Sequence, residues 1–200
     1  MNVDVIIGTY GDRELWAPLA HRAYTSATEQ TVQPDNVIVF HGATLAEARN
    51  NAAGRSTAEW LVFLDADDEL DSGYIEGILA GNGDLRQPRT LGFTNEVPDG
   101  DPIFVPAREH LLIGNHLVIG TGVRRTFFER SGGFRELPIL EDWDLWLRCW
   151  ILGAEIGTAP DAVYLIHHNQ NGRNAAPNWD ETYLSLQQEH WISAQERGLV

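Results

Sequence analysis

Trp60-Leu61-Val62-Phe63-Leu64-Asp65-Ala66-Asp67-Asp68 decides the fold. Five apolar residues run straight into three carboxylates within four positions. A short apolar run with polar boundaries reads as a buried strand. The carboxylates then stand at its C-terminal end, the edge where open α/β sheets bind ligands. Asp65 and Asp67 there suit a hard divalent cation, magnesium or manganese, beside a phosphate-bearing substrate. The ordinary alternative is an acidic turn that caps a helix beginning near Ser72.

Working outward, residues 3–9 read as a first strand and residues 14–27 as an amphipathic helix, with Leu15, Leu19, Ala23 and Ala27 at helical spacing. A turn at Pro34-Asp35-Asn36 leads into the strand Val37-Ile38-Val39-Phe40. Thr44 and Glu47 form a capping box for a helix running to about Ala53. The order β-α-β-α-β implies parallel pairing, a Rossmann-like half. Further on, the pattern predicts a helix over 72–79, a strand near 90–94, and another at Leu117-Val118-Ile119. Helices follow over 124–130 and 142–152, then a strand over 162–166, a polar loop over 169–178 and a terminal helix over 180–197.

Two hundred residues with 43% apolar content fit one packed domain and exclude a disordered chain. The net charge of −15 argues against nucleic acid and anionic membranes as partners. All 14 basic residues are Arg, which codon bias explains without a mechanism. The single cysteine, Cys149, excludes an internal disulfide and fits a reducing, cytoplasmic setting. No apolar run approaches the ~20 residues of a membrane span. The first strand by Val3 is expected to leave no room for a signal peptide.

Further motifs carry chemistry. Glu141-Asp142-Trp143-Asp144-Leu145-Trp146-Leu147-Arg148 opens a helix. Carboxylates in a first turn favour the macrodipole, which accounts for Glu141 and Asp144 as simple charge placement. The functional reading makes one of them, Asp142, a general base held rigid by Trp143, Trp146 and Trp150. His167-His168 after a late strand offers imidazole to a metal and would favour manganese over magnesium. Thr9 and Tyr10 at the end of the first strand offer a shelf for a nucleotide base. Arg49 with Asn50 could face a diphosphate, and Arg173 in the polar loop could add a second cation.

The order of these elements closely resembles the family 2 glycosyltransferases, inverting enzymes of the GT-A fold. The elements are the strand-one shelf, Ala48-Arg49-Asn50, Leu64 to Asp68, Gly132-Gly133-Phe134, Glu141 to Arg148, then His. The resemblance spans residues 3–174. It implies an α/β domain with a mostly parallel central sheet: a nucleotide-binding half at about 1–80, an acceptor and catalytic half at 81–178, and a terminal helix. It implies that Thr9, Tyr10 and Arg49 contact the donor and Asp65 the donor ribose and metal. Asp67 would be the direct metal ligand, Asp142 the catalytic base, and His167, or His168, the late metal ligand. The donor would be a nucleoside-diphosphate sugar, UDP-linked by family. Phe40-His41-Gly42 departs from the acidic uracil-reading residue of many members, so guanosine or thymidine nucleotides stay open. The acceptor would be a glycan, protein or small molecule. The compact form resembles small enzymes of actinobacteria and their phages. A nucleotidyltransferase is the rival enzyme, but Gly8 to Arg13 is a poor phosphate loop. A non-catalytic nucleotide-sugar or glycan-binding module is the rival without chemistry.

Overall fold

The computed structural model of the chain describes residues 1–105, 110–168 and 179–200. Strand β1 (Val3–Tyr10), helix α1 (Arg13–Thr28), β2 (Asn36–Gly42), α2 (Leu45–Ala53) and β3 (Trp60–Asp65) form the expected first half. Beyond them come β4 (Glu69–Leu70), α3 (Tyr74–Ala80), β5 (Leu85–Thr94), β6 (Val97–Pro98), β7 (Gly122–Arg124) and α4 (Arg125–Ser131). Helix α5 (Glu141–Ile151), β8 (Ile156–His167) and α6 (Trp179–Glu196) complete the described elements.

The strands form one sheet in the order β2-β1-β3-β7-β5-β8-β4, with β6 paired to β5. The pairs β1–β2, β1–β3 and β5–β8 are parallel, whereas β7 runs antiparallel to both neighbours and joins the two parallel parts. Register sets the site. Gly8 lies opposite Asp65, and Thr9 opposite His41, so the C-terminal ends of β1, β2 and β3 share one edge.

Local signals mark the helix starts. Asp12 caps α1 by accepting from the Glu14 N–H at 2.9 Å. Thr44 accepts from the Glu47 N–H at 3.1 Å, while Glu47 reaches the Ala43 N–H at 2.7 Å, a capping box displaced by one residue. The three strand-core residues Val5, Ile6 and Ile7 and the run Leu61 to Phe63 are fully buried, which explains their lack of polar alternation.

Three expectations change. Leu117 and Ile119 are buried but form no strand; the Leu117 carbonyl accepts instead from the Trp146 indole at 3.2 Å, and a turn joins Val118 to Thr121. The strand of this region is Gly122–Arg124. The late strand starts six residues earlier than its apolar core, at Ile156 rather than Ala162. The two-residue β4 carried no apolar signal. In helix α5, Trp143 and Trp146 are fully buried and Trp150 partly so, and the Trp143 indole Nε1–H donates to the Leu111 carbonyl at 2.7 Å.

Candidate active site

At the end of β3, the chain turns sharply, with the Asp68 N–H donating to the Asp65 carbonyl at 3.1 Å. One carboxylate oxygen each of Asp65, Asp67 and Asp68 lies within 4.8 Å of the others. Asp68 is buried and accepts from the His167 N–H at 2.8 Å and from the Tyr164 hydroxyl. Burial first, then the charges of Asp65 and Asp67, push its carboxyl well above the usual range. Tyr164 also accepts from the Asp65 N–H at 3.1 Å, so a buried tyrosine fixes both sides of the turn. The charges of Asp65 and Asp67 repel that of Asp68, and a divalent cation relieves that repulsion. The donor set is therefore chemically suited to a hard cation.

The histidines join other carboxylates. His167 Nε2 lies 2.8 Å from Glu69 Oε1 and its Nδ1 lies 3.6 Å from Glu96, with the ring stacked on Phe93. His168 Nε2 lies 3.3 Å from Asp99. Among the described residues, the compact ligand group closes on Asp68 and contains neither imidazole. Carboxylate oxygens suit magnesium and manganese alike, so the expected preference for manganese depends on an imidazole joining this group.

Arg49 is 2% exposed. Its guanidinium pairs with Asp65 and, at 2.8 Å, with Glu141, and lies over the Phe134 ring at 4.9 Å. Gly8 makes room for it: a Cβ there would meet Arg49 Cγ at 2.9 Å. The next residue, Asn50, donates to the Phe134 carbonyl at 2.9 Å and accepts from the Phe134 N–H at 2.8 Å. Ala48-Arg49-Asn50 thus reaches across to Gly132-Gly133-Phe134 and to the first turn of α5. Arg49 clamps two carboxylates of the cleft lining, one from the end of β3 and one from the first turn of α5. The sequence placed it near the diphosphate but held no sign of these partners, which lie 16 and 92 residues away.

Asp142 stands on that turn. The preceding Leu140 has φ 60°, a left-handed conformation that an L residue rarely adopts, and it opens α5 without a side-chain cap. Asp142 Oδ1 accepts from the Trp143 N–H at 2.7 Å, and Oδ2 accepts from Asn115 Nδ2 at 3.0 Å. Burial, then the neighbouring Glu141 charge, pushes its carboxyl up to about 6. Asp144 differs. It is fully buried and accepts from Arg135 Nε at 3.0 Å, Arg148 Nη2 at 2.7 Å and His190 at 2.9 Å. Although burial opposes it, these partners hold its carboxyl well below the usual range. Glu141 and Asp144 are thus buried ion-pair members, not the simple helix-dipole charges their sequence positions suggest.

A cleft of about 380 Å³ is lined by Arg49, Asp65 and Asp68 together with Glu141 and Asp142. Gln87, Asn115 and His116 belong to the same lining. Thr9 and Tyr10 stand at the end of β1 and are not among the lining residues. Thr9 Oγ1 lies 3.0 Å from His41 Nδ1, and the Tyr10 ring stacks on Trp16 at 6.5 Å. Arg173 lies outside the described residues.

Residues 22–84 match the family model of glycosyl transferase family 2. This segment runs from α1 through the Asp turn to the end of α3. Three solved structures share the fold, each 16% identical to the chain. S. aureus TarS 1-349 in complex with UDP-GlcNAc superposes with a TM-score of 0.73, covering 96% of this chain and 66% of that one. The same protein in complex with UDP gives 0.66, covering 95% and 65%, and TarS itself 0.61, covering 84% and 37%. The chain thus spans just under two thirds of TarS 1-349. These likenesses establish the GT-A fold. No curated protein sequence matches the chain. No helix among the described residues is long and apolar enough to cross a membrane.

Proposed function

We propose that the protein transfers a sugar from a nucleoside-diphosphate donor, UDP-linked as in the TarS complex, onto an acceptor hydroxyl with inversion. One observation carries this reading: a single cleft is lined both by Asp65 and Asp68 of the three-carboxylate turn and by Asp142, whose two oxygens are held by Trp143 and Asn115. Asp65, Asp67 and Asp68 would hold the cation, with His167 or His168 the remaining candidates from the sequence. A bound divalent ion supplies positive charge beside a departing diphosphate. The chain's own residues do the rest. Asp142, with its carboxyl pushed up to about 6, is ionised at neutral pH yet basic enough to accept a proton. It takes the proton of the acceptor hydroxyl as that oxygen attacks the anomeric carbon from the face opposite the nucleotide. Arg49, closed between Asp65 and Glu141, keeps the donor wall and the base wall in fixed relation. Tyr10 supports the base of the nucleotide.

The nucleotidyltransferase reading loses ground on a structural detail. The start of α1, where a phosphate loop would cradle its ligand, is already occupied by the Asp12 carboxylate.

The test is release of UDP from UDP-GlcNAc, with water or a supplied acceptor, in manganese or magnesium. Asp142→Asn keeps size and polarity but cannot take the proton, so turnover should fall about 10²–10⁴-fold with UDP affinity nearly unchanged. Pyrophosphate exchange in place of UDP release would establish the nucleotidyltransferase. Normal turnover by Asp142→Asn would remove the mechanism.

A further inference from the structure

Asp142 is held by two donors of different kinds. One is its own helix: the Trp143 N–H binds Oδ1. The other comes from the segment before β7, where Asn115 Nδ2 binds Oδ2 at 3.0 Å. That segment is fixed at nearly every carbonyl it offers. Leu111 accepts from Trp143 at 2.7 Å, Leu112 from Gln187 at 3.2 Å and Ile113 from the Tyr183 hydroxyl at 2.7 Å. His116 accepts from Gln87 at 2.8 Å, and Leu117 from Trp146 at 3.2 Å. Donors from β5, α5 and α6 thus bind five of seven successive carbonyls, and Asn115 lines the cleft together with its neighbours His116 and Leu117.

We infer that Asn115 is a positioning residue for the proposed general base: it sets the rotamer of Asp142 and favours its charged form. The inference rests on the transferase reading for its function, but not for its geometry. With Oδ1 tied to the Trp143 N–H and Oδ2 to the Asn115 amide, both carboxylate oxygens are held, which defines the orientation of the side chain at the cleft. An amide N–H donates only, so it stabilises the carboxylate and opposes protonation. The surrounding charges act in both directions. Glu141 beside it raises the proton affinity, and Arg49 from α2 lowers it. Asp65, Asp68 and His116 line the same cleft. Asn115 is therefore one of the few groups that keep the base charged where burial and Glu141 would neutralise it. The residue is exposed and packs no core, so replacing it tests the hydrogen bond and not the fold.

The experiment follows the side-chain carboxyl carbon of Asp142 by NMR as a function of pH in the whole protein, assigned through Asp142→Asn. Asn115→Ala should move the Asp142 midpoint upward by roughly half to one pH unit, the size of one hydrogen bond made to the charged form. Asn115→Asp adds a like charge and should move it further still. In UDP release from UDP-GlcNAc, the acidic limb of the rate profile should follow the same order, with kcat reduced and KM for donor nearly unchanged. If the Asp142 midpoint is the same in wild type, Asn115→Ala and Asn115→Asp, the inference is overturned. If the midpoints move as stated while no variant, wild type included, releases UDP, the positioning stands and the transferase reading fails.

Discussion

Replacing Arg49 by Met separates a structural clamp from a donor ligand. The guanidinium is buried and meets two carboxylates, of which the Glu141 side chain is 6% exposed and that of Asp65 32%. Removing the cation from a buried carboxylate costs about 3–5 kcal/mol. Asp65 has water within reach and adds little to that figure. The lost contact over Phe134 adds about 0.5–1 kcal/mol. The expected loss for Arg49→Met is therefore about 3.5–6 kcal/mol, a large part of a typical 5–15 kcal/mol domain stability. Seven tryptophans make urea unfolding easy to follow by fluorescence. Adding Glu141→Gln to Arg49→Met should recover a substantial part of the loss, because the buried charge is then gone. UDP affinity, measured by calorimetry under folding conditions, should change little. A stable Arg49→Met protein that binds UDP at least tenfold more weakly would refute the clamp and return Arg49 to the diphosphate.

The other expectations follow from the same geometry. Asp144→Asn should lose about 2–4 kcal/mol at pH 7, since three cationic or polar partners then face a neutral amide. Because the folded carboxyl titrates below its unfolded value near 3.8, the stabilisation is complete above about pH 5 and fades as pH falls below 4, so acid unfolding curves of wild type and variant should converge there. Asp67→Ala should abolish metal-dependent UDP release in an otherwise folded protein, and chelation should do the same reversibly; full activity after exhaustive chelation removes the metal from the scheme. Among the histidines, His167→Ala should weaken metal use more than His168→Ala while keeping the main-chain N–H that binds Asp68, and equal magnesium and manganese titrations in both would leave the ion to the carboxylates. Tyr10→Ala should weaken UDP binding by about 1–3 kcal/mol, with Tyr10→Phe nearly silent; normal binding by both removes the shelf.

The first half of the fold was legible because its signals are local. Val5 to Ile7 and Leu61 to Leu64 are short apolar runs, and Thr44 and Glu47 advertise a helix start. Asp65, Asp67 and Asp142 were legible because each ends or opens such an element. What stayed hidden depends on distance. Arg49 gives no hint of Glu141, and Asn115, 27 residues before Asp142, sits in a stretch with no period at all. Gly157 and Pro160 hide the first half of β8 from the pattern, yet parallel pairing with β5 runs through Gly157 to Ala159 and resumes at Val163 after an irregularity that takes up Pro160. Asp144 looked like a dipole charge because Arg135 and His190, which bury it, come from other elements.

The cross-linking of α2 to Phe134 and Glu141 has a bearing on how the chain acquires its structure. Asn50 and Arg49 find their partners 84 and 92 residues later. Until those arrive, α2 carries a cation with half its counter-charge and an amide facing water. The closing of so long a loop is entropically slow, and topologies rich in such contacts reach the folded state late. A fragment ending after α3 should therefore remain loose. In the whole protein, the donor edge and the base should appear and disappear together, as one cooperative transition.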